Sequence, residues 1–128
     1  MPYIRVQLGK PVSPTETLRL ADGITDVMTT ILHKKQSLVS VSVETLPASQ
    51  WFIGGQNMAE QTETTAFVSA KITEGTNTVE EKAQAIAAIY TLLGEVLGTL
   101  AEASYIVLDC LPATDWGYGG RTPASRKG

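Results

Sequence analysis

Leu46-Pro47-Ala48-Ser49-Gln50-Trp51-Phe52-Ile53-Gly54-Gly55 returns in the same chain as Leu111-Pro112-Ala113-Thr114-Asp115-Trp116-Gly117-Tyr118-Gly119-Gly120. The offset is 65 at every position, six of the ten residues are identical, and the chain's only two tryptophans are both used. The same offset carries Ser13-x-x-Glu16 onto Thr78-x-x-Glu81. Each is a capping box, in which the hydroxyl accepts from a first-turn amide and the glutamate accepts from the amide of the capping residue. Pro14 suits a first helical position. Two copies of one unit, each with a helix, therefore lie in tandem.

The unit is completed outward from these landmarks. Leu20, Ile24, Val27, Met28, Ile31 and Leu32 make one apolar stripe, and Ala83, Ile86, Tyr90, Leu93, Val96, Leu97 and Leu100 make another. Gly94 and Gly98, four residues apart, fit equally a close approach of the second helix to its sheet and simple tolerance of glycine on the helix. Residues 3–8 alternate with Ile4, Val6 and Leu8 on one face, and residues 38–46 alternate through Val39, Val41 and Val43. Residues 66–72 and 105–111 supply the second pair of strands. Within each unit the helix returns the chain to pair in parallel with its first strand. Residues 56–64 are polar and read as a connection.

The expected fold class is α+β: a β-α-β-β-α-β chain with a pseudo-twofold axis, a four-stranded sheet and both helices on one face. We expect a single domain over residues 1–128 made of two repeats, about 2–55 and 66–120. The bare face of such a sheet would expose apolar area, which three copies around an axis would bury. A homotrimer is the expected assembly.

Composition narrows the function classes. A net charge of −3 offers no basic footprint for nucleic acid. One histidine and one cysteine exclude an ordinary intrachain zinc site and any intrachain disulfide. Cys110 sits in an apolar strand and reads as a buried packing residue. No charged-then-apolar leader and no span near ~20 apolar residues is present, so a cytoplasmic protein with no membrane partner is expected. The residues after Gly120 lack large apolar side chains and read as unstructured. His33, near the end of the first helix, reads as a partner of its dipole.

A β-α-β unit that starts Met1-Pro2, carries Gly9-Lys10 after its first strand and ends in Trp-x-x-Gly-Gly resembles the 4-oxalocrotonate tautomerase family. The chain resembles two such subunits fused, over nearly all of residues 2–120. The resemblance implies an isomerase without a cofactor, acting on a small-molecule carboxylate substrate. It implies that Pro2, freed by loss of Met1, is the catalytic base. Lys10 stands where the family has a carboxylate-binding arginine, and Trp51 and Trp116 stand at the pocket aromatic. Where the family has another arginine, on the second strand, this chain has Ser40 and, in the second half, Tyr105. Arg121 follows the second Gly-Gly and is a further candidate substrate contact, as are Arg5 and Lys71. The second half begins with an internal amide near Ala66 and has no amine to offer.

The chemistry suits these residues. A free α-amino group titrates near ~7.7–8.0. An apolar pocket and nearby cations lower that value and leave a neutral amine as a usable base. The proline ring fixes its direction. The expected reaction moves a proton between the keto and enol forms of a small 2-oxo or enolic acid. Two alternatives stand beside it: dehalogenation or decarboxylation with Pro2 as acid, and a trimeric binding module without chemistry. The first would call for arginines on the strand before the second helix, and residues 66–73 contain none.

Overall fold

The computed structural model describes residues 2–126, so the expected removal of Met1 and the tail reading for Lys127 and Gly128 concern residues outside it. Tyr3–Leu8 (β1), Ser40–Thr45 (β2), Ala66–Thr73 (β5) and Tyr105–Leu111 (β6) form one sheet in the order β2-β1-β5-β6. The short strands Phe52–Ile53 (β3) and Gln56–Asn57 (β4) form a separate hairpin. β1 pairs with β2, and β5 with β6, in parallel; β1 and β5 join the two halves antiparallel. Helices Pro14–Thr30 (α1) and Val79–Leu97 (α2) pack on one face. The fold is the expected α+β arrangement.

Both capping boxes form. Ser13 Oγ accepts from the Glu16 amide and Glu16 accepts from the Ser13 amide; Thr78 and Glu81 repeat the pattern. The cap amides hold both glutamate carboxyls below the usual range, with hydrogen bonds from Asn77 and Thr78 side chains adding to the effect at Glu81. His33 is not a dipole partner within α1. It lies past the helix end at φ 59°, and its Nε2 is 3.2 Å from Glu81 Oε2. The charge it meets is the capping-box glutamate of the other helix.

The core runs across both halves, with Ile4, Val6, Leu8, Leu20, Ile24 and Met28 against Val68, Ala70, Ile89 and Leu93. On α2 the buried stripe is Ala85, Ile89, Leu93, Val96 and Leu97; Tyr90 is half-buried, and Ala83 and Ile86 are exposed. That corrects the stripe read from spacing. α2 is apolar around most of its circumference, so spacing alone admits two stripes, whereas Ala85 and Ile89 stand 65 residues after Leu20 and Ile24. The close approach is also not at Gly94, which has open space around it, and Gly98 is the helix C-cap at φ 89°. It is at Gly23 on α1, where an added Cβ would lie 2.6 Å from a methyl of Leu92 on α2.

Each Trp-x-x-Gly-Gly ends in a two-residue hairpin turn with both glycines at positive φ: 59° and 78° at Gly54-Gly55, 60° and 76° at Gly119-Gly120. Side chains with a Cβ rarely enter that region twice in succession. After the first turn the polar connection is not a bare linker. It carries β4 and buries Met58. After the second, Arg121 bridges back to Tyr118 and Pro123–Arg126 (α3) forms a turn of helix, so the expectation of an unstructured tail is corrected through Arg126. Arg126 stacks over the Tyr118 ring at 3.9 Å and donates from Nη2 to Tyr118 O at 2.9 Å. Cys110 is half-buried on edge strand β6.

The bare sheet face is more polar than expected. Alternation turns Tyr3, Arg5 and Gln7, Ser40, Ser42 and Glu44 outward on one side. Arg5 binds Glu44 at 2.7 Å, and Tyr3 Oη shares a 2.8 Å hydrogen bond with Ser42 Oγ. Exposed rings on this face are Phe67 and Tyr105 on the β5–β6 side and Tyr3 on β1.

The offset between halves is not uniform, and this positions the site. Ser40 and Tyr105 are 65 apart, yet Ser40 pairs with Tyr3 and Tyr105 with Phe67, which are 64 apart. The second half has one extra residue between β5 and α2, in the turn containing Gly75 at φ 79°. The structural counterpart of Pro2 is therefore Ala66.

Two outcomes test this description. Gly9 N donates to Thr65 O at 2.9 Å, and a Cβ on Gly9 would overlap the fully buried Thr65 Oγ1. Gly9→Ala should cost about 1–3 kcal/mol in denaturant unfolding, and Thr65→Ala, which removes the obstructing hydroxyl, should restore part of it. The cap carboxyls have folded values depressed below the unfolded one, so their contribution is present above about pH 4.5 and is lost as pH falls through the folded values. An acid titration of stability with Glu81→Gln should lose part of the wild-type slope in that window.

Candidate active site

Pro2 is buried at the start of β1, where its carbonyl accepts from the Ser40 amide at 3.1 Å. It lines a cleft of about 330 Å³ with Tyr3, Ser40, Lys71, Trp116 and Tyr118. Three different constraints bring these groups together. Parallel pairing sets Ser40 beside Tyr3. Antiparallel pairing sets Lys71 opposite Tyr3. The second Trp-x-x-Gly-Gly segment folds back from the far half of the chain, so the tryptophan beside Pro2 is Trp116 and not the one in Pro2's own repeat.

Lys71 is the cation in this cleft. Its Nζ lies 3.1 Å from Asp109 Oδ2, which also accepts from Ser69 Oγ at 2.9 Å. Those two hydrogen bonds, Ser69 first, hold the Asp109 carboxyl below the usual range. Both side chains of the ion pair remain substantially exposed, at 44% and 37%. Such a pair is weakly held, and an incoming carboxylate can compete for the ammonium. Trp116 Nε1 is buried without a hydrogen-bond partner.

A second cleft, of about 570 Å³, is the pseudo-twofold counterpart of the first. Ala66 stands for Pro2, Phe67 for Tyr3, Tyr105 for Ser40, Gln7 for Lys71 and Trp51 for Trp116. Trp51 and Tyr105 thus come together, but away from Pro2.

The remaining residues singled out from the sequence fall elsewhere. Lys10 lies at the opposite end of β1 from Pro2, roughly 20–30 Å along the strand. Its Nζ donates to Leu97 O at 3.1 Å, at the C-terminal end of α2, where a cation is favoured. Within one chain it is not beside the amine. Arg121 donates from Nη2 to Ser125 O at 3.1 Å and does not line the cleft, and Arg5 is paired to Glu44. The sequence reading did not single out Tyr3 or Tyr118 as walls, and it held Lys71 only as a reserve. Their signal is the β1–β5 register, which no local pattern specifies. Among the described residues no three His, Cys, Asp or Glu side chains cluster as metal ligands. Among the described residues no helix is long and apolar enough to cross a membrane.

Comparison with known proteins matches this arrangement. The family described as tautomerase enzyme matches residues 2–61. The probable tautomerase K2 of Dickeya dadantii (strain 3937) is 33% identical over 61 residues, 48% of this chain and 91% of its own. Among solved structures, a wild-type fused 4-OT described as a symmetric trimer has a TM-score of 0.87 at 20% identity, covering 98% of this chain and 99% of that one. A protein inactivated by 2-oxo-3-pentynoate has a TM-score of 0.86 at 19% identity, with the same coverage of 98% and 99%. The match of the first repeat along almost a whole relative assigns the family, and the match of both repeats to the fused structures assigns the fold: the chain belongs to the tautomerase family, as an isomerase-type enzyme whose β-α-β unit is duplicated in tandem.

Proposed function

We propose that the protein interconverts keto and enol forms of a small 2-oxo or enolic acid, with the Pro2 ring nitrogen as base and acid. The observation that carries this reading is the meeting of Pro2 and Lys71 in one aromatic-walled cleft. The substrate carboxylate binds the Lys71 ammonium, displacing Asp109. The neutral Pro2 amine takes a proton from the carbon beside the carbonyl. The C–H electrons become a carbon–carbon double bond, and the carbonyl electrons move to its oxygen. The ammonium of Pro2 then returns the proton to another carbon of the dienolate or to oxygen, which regenerates the amine. Trp116, Tyr3 and Tyr118 exclude water from the developing enolate.

One chain, read as a single unit of two repeats, carries one such amine. The structural neighbour described as a symmetric trimer supports a trimer here, with three reactive clefts. The neighbour inactivated by 2-oxo-3-pentynoate supports a 2-oxo acid as the ligand class. A lysine holds a carboxylate as a point charge rather than as a fork, so selection among 2-oxo acids should be loose.

Steady-state kinetics on the enol of a small 2-oxo acid test the assignment. Pro2→Ala should lower kcat by about 10²–10⁴-fold. Lys71→Ala should raise KM about tenfold with little change in kcat, since it holds ground and transition states alike. Lys10→Ala should leave both unchanged. A KM increase confined to the Lys10 variant would move the anion contact to a neighbouring copy, and unchanged turnover in the Pro2 variant would overturn the mechanism. Sedimentation at micromolar concentration should return the mass of three chains; a monomer would refute the assembly.

A further inference from the structure

We infer that the cleft beside Ala66 is a second ligand site, which takes an uncharged planar ring. The comparison between the two clefts supplies the argument, because each position has a counterpart. Where the Pro2 cleft has a secondary amine, this one has a methyl group, Ala66. Where it has an ammonium, Lys71, this one has an amide, Gln7. Ser40 becomes Tyr105 and Tyr3 becomes Phe67, while the tryptophan wall is kept as Trp51. Every replacement removes charge or proton-transfer capacity or adds ring area, and none closes the space. At about 570 Å³ the cleft is within the ordinary range for small-molecule sites.

The chemistry of the lining selects the ligand. Trp51, Phe52, Phe67 and Tyr105 present four rings, and among the described residues no Asp, Glu, Lys, Arg or His lines the space. An anion entering it would lose hydration without a counter-charge. A planar ring would find faces and edges for stacking. Gln7 Nε2 reaches Glu44 Oε1 only at 3.5 Å, so its amide is available to a hydroxyl or carbonyl on the ring. The site does not depend on Pro2 and has no amine, so its role is binding rather than turnover.

The chain has two tryptophans, one per cleft, and each indole N–H gives its own NMR signal. The test titrates the full-length ¹⁵N-labelled protein with 2-naphthol and, separately, with 2-naphthoate, the signals being assigned with Trp116→Phe. The expected result is saturable movement of the Trp51 signal by 2-naphthol, at least tenfold tighter than by 2-naphthoate. Tyr105→Ser should weaken it at least fivefold, and Pro2→Ala should leave it unchanged. A Trp51 signal that does not move overturns the inference, as do equal responses to the two probes or an unaffected Tyr105→Ser variant. Loss of trimer mass in Tyr105→Ser with no naphthol binding would mean that a second copy covers the cleft, and would also overturn it. Because Pro2→Ala retains the binding, failure here is distinguishable from failure of the proton-transfer reading, which kinetics alone decide.

Discussion

The antiparallel pairing of β1 with β5 is the constraint on which the rest of the molecule depends. Its register sets Tyr3 opposite Lys71 and Gln7 opposite Phe67. One pairing therefore does two things at opposite ends of the same ladder. It brings an ammonium to the beginning of the chain, and it brings an amide to the corresponding position of the second half. A slip of one residue would turn Lys71 into the core and Ala70 toward solvent. The apolar faces of Ile4, Val6, Leu8, Val68, Ala70 and Ile72, all fully buried, forbid it. Packing energy on the helix side of the sheet thus fixes chemistry on the open side.

The duplication then explains why one scaffold holds two unlike clefts. Helices, caps and glycine turns repeat at an offset of 65, because each unit must close the same β-α-β crossover. The amine proposed for the start of the first unit cannot repeat in the second. A peptide nitrogen inside a chain carries no basic lone pair, so a proline at the Ala66 position would gain nothing. Freed from that role, the second cleft differs from the first at each polar position while retaining its tryptophan. The two halves also cross over: each tryptophan serves the cleft at the start of the other repeat, Trp116 beside Pro2 and Trp51 beside Ala66.

Much of this was legible in the residues. The repeated decapeptide, both capping boxes and the strand alternation determine element order, fold class and the approximate halves, because each is a local signal with a local physical cause. What was not legible is long-range. The stripe on α2 was misread from spacing, since an apolar helix offers several stripes, although the repeat itself pointed to Ala85 and Ile89. Lys10 was singled out by resemblance alone, and it lies beyond the far end of β1 from Pro2, because an extended strand holds its ends apart. Lys71 could be found only through the β1–β5 register, and the extra residue beside Gly75, which makes Ala66 the counterpart of Pro2, showed only in the pairing. The polarity of the bare sheet face follows from cross-strand partners such as Arg5 with Glu44, again invisible in a single strand.

The central claim is that the reacting group is the ring nitrogen of Pro2, lodged in a cleft that favours its neutral form. The most direct measurement is an NMR pH titration of protein labelled with ¹⁵N-proline. Six prolines are present, but only one can be a secondary amine. The account predicts one amine resonance that titrates below the ordinary α-amino range of ~7.7–8.0. An amide-type resonance for Pro2, or an amine that titrates at or above that range, would contradict it.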